Sequence, residues 1–126
     1  MNEQYLYMVL ATSKSNPQYS TIKVGYTDDP IRRLKQLRRK NKNFEYSDMA
    51  LFKHKTKQLY YRYDEEALHE KNRFHSVRLG KDSLPDGHTE HYDIDYMPDL
   101  YDQIIGMGYY WLNEPVQTNE NAMFAW

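Results

Sequence analysis

The stretch "TIKVGYTDDPIRRLKQLRRK", residues 21–40, constrains this chain more than any other. A β-branched run reaches Gly25 and Tyr26, two aspartates follow, and Pro30 opens a helical pattern with almost no spacer. Thr27 or Asp28 is suited to cap that helix, Asp29 to its first turn and Pro30 to its first position. Ile31, Leu34, Leu37 and Arg38 share one side at helical spacing, with Arg33 on its flank. Arg32 and Arg39 then point outward, toward solvent or phosphates. The segment reads either as a strand-turn-helix with a solvated basic face or as a site that grips a phosphate.

The flanking sequence gives that unit its company. Residues 5–11, "YLYMVLA", predict a strand antiparallel to 21–26 across the polar loop 12–20. Residues 48–54 predict a third strand and about 57–74 a second helix, with Leu59, Tyr63, Ala67 and Phe74 inward. A loop over 79–89, a short strand over 90–94 and a helix from Pro98 to Gly106 follow. The order β-β-α-β-α-β-α predicts an α+β fold. Its sheet should be small, mixed and mainly antiparallel, flanked by about three helices. One domain over 1–126 is expected, with an acidic extension at about 106–126; the end, from Glu114, shows no periodicity.

Charge is distributed unevenly along the chain. Residues 1–81 hold all 17 Lys and Arg against 9 Asp and Glu, a net +8; residues 82–126 carry a net −9. Eight basic residues fall between Lys23 and Lys42. A segment so charged attracts polyanions, nucleic acid being the commonest. No cysteine is present, which excludes disulfides and thiolate metal sites. No apolar run approaches 18 residues and no signal-peptide pattern appears, so a cytoplasmic protein without membrane attachment is expected.

"YLYMV", then "KVGYT", then Arg33 eight residues after Gly25, then a lone Glu in "TEHYDI": this order resembles the GIY-YIG endonuclease superfamily. It is most similar to the small branch of phages and mobile elements whose second motif reads Lys-Ile/Val-Gly. The resemblance covers roughly residues 5–105 and implies a DNA endonuclease with one Mg²⁺ or Mn²⁺ ion. Tyr7 would activate or orient the attacking water, and Lys23 stands where most members carry a second tyrosine. Gly25 would mark a turn close behind the site, and Tyr26 would lie near the phosphate. Arg33 would contact the scissile phosphate and Glu90 would hold the metal. Leu37 departs from the pattern, since many members place His or Tyr there.

The chemistry asks for these residue types independently. Phosphodiester hydrolysis needs an activated water, compensation of charge on the phosphoryl oxygens and help for the leaving 3′ oxygen. A tyrosine, with an ordinary pKa of about 10, needs a neighbouring cation to act as a base. Arginine offers a charge-assisted fork, and a carboxylate offers hard oxygen for Mg²⁺.

Arg32, Lys35, Arg38, Arg39 and Lys40 are the expected DNA-binding set, and His69 and His91 the expected support for the site. Glu66, three residues before His69, rivals Glu90 as the metal ligand. His88-x-x-His91 has a zinc-chelating spacing, although all-histidine structural zinc sites are uncommon. Tyr60, Tyr61 and Tyr63 read as core residues or as stacking surfaces for exposed bases. No separate targeting domain is evident, so specificity is expected to be weak, structure-dependent, derived from a homodimer or supplied by a partner. The alternative is a non-catalytic nucleic-acid-binding or interaction protein that keeps the fold alone.

Overall fold

The computed structural model describes residues 3–112 and Val116. Its elements run β1 (Tyr5–Ser13), β2 (Ser20–Thr27), α1 (Pro30–Lys40), β3 (Phe44–His54), α2 (Tyr61–Asn72), β4 (His91–Asp93), α3 (Met97–Gly106) and β5 (Tyr109–Trp111). The strands form one sheet in the order β4-β2-β1-β3-β5. Every named pair in it is antiparallel.

Central strand β1 is apolar on both faces, and side chains alternate across a strand, so it needs a cover on each side. Leu6 and Met8 face Ile22, Val24 and Phe52 beneath Tyr61 and Leu68 of α2 and Leu100 and Ile104 of α3. Tyr7, Val9 and Ala11 face the other way, against Leu34 and Leu37 of α1, Tyr46, and Val77 and Leu84 of the loop before β4. A bulge sets two residues, Asp48 and Met49, against Val9, with Asp48 at φ 54°.

Several expectations shift. The cap of α1 is Asp29, whose carboxylate accepts the Arg32 N–H. Ile31 is half exposed rather than buried, because Leu34 and Leu37 alone reach the sheet. Helix α2 begins at Tyr61 and buries Tyr61, Glu65, Leu68 and Asn72. Tyr63 and Phe74, expected inward, are 65% and 78% exposed. The buried side of α2 is half polar, so apolar spacing pointed to the wrong face. Strand β5 falls within the expected acidic extension at about 106–126. It pairs with β3 through Tyr109, Tyr110 and Trp111. Beyond Leu112, and apart from Val116, that extension lies outside the described residues.

Candidate active site

The β1–β2 hairpin sets the site by its register. Tyr7 pairs with Gly25 and Val9 with Lys23, so Tyr7, Gly25 and Lys23 share the α1 face of the sheet. Gly25 lies within β2, not at a turn. A Cβ built there would sit 2.5 Å from the Tyr7 hydroxyl oxygen, so the glycine is the floor on which that ring rests.

Two cations converge on the phenolic oxygen. Lys23 Nζ donates to Tyr7 Oη at 3.0 Å, and Arg33 Nε, carried by α1, donates to it at 3.2 Å. Lys23 also donates to Glu90 Oε1 at 2.8 Å. Its side chain is 1% exposed. Burial opposes the ammonium there, but Tyr7 and Glu90 outweigh it and hold the pKa above the ordinary value. Burial likewise pushes the Glu90 carboxyl up, and Lys23 pulls it below the ordinary range. The pair is therefore ionic at neutral pH.

The fork of Arg33 is occupied. Its Nη1 and Nη2 donate to the two Asp86 oxygens at 2.7 and 2.9 Å. Asp86 is held in turn by buried Asn41, whose Oδ1 accepts the Asp86 N–H at 2.8 Å and whose Nδ2 donates to the Asp86 carbonyl at 2.7 Å. Asn41 also donates to the Tyr46 hydroxyl, which meets His91 Nε2 at 2.8 Å. His91 Nδ1 lies 2.6 Å from the Gly87 carbonyl. Burial, with help from Lys23, pushes His91 down to about 4, so it is neutral. Gly87 has φ 77°, and a Cβ there would crowd the Lys23 side chain at 2.8 Å. This buried chain anchors the 85–90 segment, and with it Glu90.

Helix α2 approaches the same point past the free end of β2. It brings Glu65 and His69 to Glu90, with one ligand atom from each within 4.8 Å of the others. Such a group could hold a metal ion. Burial and then the charge of Glu90 raise Glu65 to about 7. Both His69 nitrogens are engaged, Nε2 at 3.1 Å from the Val24 carbonyl and Nδ1 at 2.7 Å from the Tyr92 hydroxyl. The carboxylates of Glu65 and Glu90 are thus the donors most ready for a cation, and His69 braces α2 against β2. Tyr7, Lys23, Arg33, Glu65 and Glu90 line one open cleft of about 550 Å³.

The other expected residues divide. Tyr26 packs toward the α2 face, opposite Lys23, and reaches the cleft at its rim. Arg32, Lys35, Arg39 and Lys40 are exposed on α1. Arg38 turns inward and donates through Nε and Nη2 to the Tyr46 carbonyl, because it lies on the side facing β3. Glu66 pairs with Arg62 at 2.9 Å on the surface, while its neighbour Glu65 takes the buried position. His91 lies behind the cleft, and its committed nitrogens leave no lone pair for a zinc pair with His88.

Asp86, Asn41 and Glu65 were not anticipated. Glu65 had a signal: it stands four residues before His69, a spacing that puts both on one helical face. Asp86 and Asn41 meet across 45 residues, and no local pattern announces that.

The molecule is thus a small α+β domain with a cation-bound tyrosine and a carboxylate group at one cleft. Residues 4–107 match the T5orf172 domain, a nuclease-associated domain, and the chain belongs to that family. No curated protein and no solved structure shows significant similarity to it. No helix among the described residues is long and apolar enough to cross a membrane.

Proposed function

We propose that the chain is a metal-dependent endonuclease that hydrolyses DNA phosphodiester bonds, of the GIY-YIG type found in phages and mobile elements. The Tyr7 oxygen, held between Lys23 Nζ and Arg33 Nε beside Glu90, carries this reading. Tyr7 orients the attacking water and receives its proton. That transfer turns a phenolate into a neutral phenol, and the two cations, fixed before the reaction begins, compensate the phenolate charge until it occurs. Arg33 acts mainly through Tyr7, because Asp86 closes its fork.

Glu90 and Glu65 would hold one Mg²⁺ or Mn²⁺, whose hard-oxygen preference suits two carboxylates. Such an ion supplies charge stabilisation for the leaving 3′ oxygen. The exposed cations Arg32, Lys35, Arg39 and Lys40 guide DNA to the cleft, and specificity comes from a second copy or a partner. A binding module would have no need of a buried lysine and tyrosine at the base of a carboxylate-lined cleft.

The test is Glu90→Gln, which keeps size and one acceptor but loses the charge that holds the ion. Cleavage is expected to fall to background while DNA binding persists. Glu66→Gln, outside the buried group, is expected to keep most activity. Undiminished cutting by Glu90→Gln would refute the assignment.

A further inference from the structure

Next to the cleft lies a second recess of about 310 Å³, lined by Gln4, Tyr26, Leu59, Tyr60, Arg62 and Tyr63. Gln4, Tyr26 and Arg62 line both hollows, so the two are continuous. Tyr60 and Tyr63 are each 65% exposed, and their rings lie 6.0 Å apart with an inclination of 31°. Neither ring serves the core, since Tyr61, between them, takes the buried place.

Tyr60 stands at the N-cap of α2 with φ 70° and ψ 26°, and its side chain makes no capping bond. Non-glycine residues seldom adopt this left-handed conformation, and a capping position favours Asn, Asp, Ser or Thr. A bulky aromatic there satisfies neither preference. Strain held at one position beside a cleft is a pointer to function.

We propose that Tyr60 and Tyr63 form a stacking platform for an unpaired base of the DNA strand whose phosphate lies in the cleft, with Arg62 as the adjoining cation. The proposal rests on the nuclease reading and names its substrate class: single-stranded or flap-bearing DNA. Every base has a π-face, so such a platform is sequence-tolerant, and it is useless to a duplex whose faces are already stacked. Arg62 is exposed and, among the described residues, forms its ion pair with exposed Glu66, a contact that a phosphate can replace at little cost.

The experiment measures binding of labelled single-stranded and duplex oligonucleotides in EDTA, where nothing is cut. Tyr60→Ala and Tyr63→Ala are each expected to weaken single-strand binding roughly tenfold and to leave duplex binding within about twofold. Phe at either position is expected to retain affinity. Tyr60→Asn separates stacking from folding: Asn suits the left-handed cap, so thermal stability is expected to hold or rise while single-strand affinity falls. Equal losses for both DNA forms, or no loss for either, would overturn the platform. A protein that never cuts DNA but loses single-strand affinity selectively in these variants keeps the platform and sheds the nuclease. One that cuts, yet ignores these substitutions, does the reverse.

Discussion

Helices α1 and α2 both feed the cleft, and they do so in opposite ways. Helix α1 has a side-chain cap, a proline at its start, and a narrow apolar stripe of Leu34 and Leu37. It lends the site one cation from the flank of that stripe and keeps its other basic residues largely outside. Helix α2 has no side-chain cap and buries Glu65 and Asn72 alongside Tyr61 and Leu68. It gives the site a carboxylate from the middle of its buried face. A helix that contributes from its flank keeps its amphipathic signature, whereas one that contributes from its buried face loses it.

The largest effect is expected at Gly25, beneath the ring on which the α1 cation converges. Gly25→Ala would set a methyl 2.5 Å from the Tyr7 oxygen and drive the ring off both cations. Overpacking of this kind costs about 1–3 kcal/mol. Denaturant unfolding should register that cost, and cleavage should fall below detection. Wild-type activity in that variant would show that the Tyr7 position is immaterial.

Next comes the α1 contribution. Arg33→Ala is expected to lower the cleavage rate by about 10²–10³-fold, the usual loss for one preorganised donor. A rate within roughly threefold of the parent would return Arg33 to a structural ion pair with Asp86.

The α2 contribution is expected to be smaller and to appear in metal dependence. Glu65→Gln should raise the Mg²⁺ concentration needed for half-maximal cleavage, because one of the two hard oxygen donors is lost. It also has a signature without metal. The folded protein holds the Glu65 proton up to about pH 7, against an ordinary value of 4.5. Its contribution to stability is therefore full below pH 4.5 and lost as pH rises through 7. In EDTA, Glu65→Gln should flatten the decline of Tm across that window. An unchanged pH profile would mean that Glu65 is not protonated in the fold.

The smallest change belongs to the outer face of α1. Reversal of Arg32, Arg39 and Lys40 to Glu should weaken DNA binding and reduce its salt slope by a few counterions, with the metal requirement unchanged. An unaltered slope would turn this face away from DNA.

Much of this was legible in the sequence because it is local. The hairpin, the α1 start at Pro30 and the order of elements through α3 follow from turn chemistry and periodicity, whereas the grouping of Tyr7 with Lys23 follows from the motif resemblance. What was hidden depends on long-range polar contact. Asp86 closing Arg33 and Asn41 holding Asp86 span 53 and 45 residues, and Asp86 lies in a segment that reads as loop. Gly25 was legible as a necessary glycine but for a different reason: the space belongs to the Tyr7 ring. Glu65 was hidden by Glu66, because a buried acid resembles an exposed one until its helix face is known.

The most direct measurement compares wild type with Tyr7→Phe on plasmid and single-stranded DNA, in Mg²⁺ and in EDTA. Removal of one oxygen leaves the ring on Gly25 and the fold intact, but strips Lys23 and Arg33 of the acceptor they share. Cutting by wild type in Mg²⁺ is expected, with none in EDTA and none by Tyr7→Phe in either. Cutting by Tyr7→Phe at the wild-type rate, or a wild type that cuts neither DNA with Mg²⁺, would contradict a catalytic role for the cation-bound tyrosine.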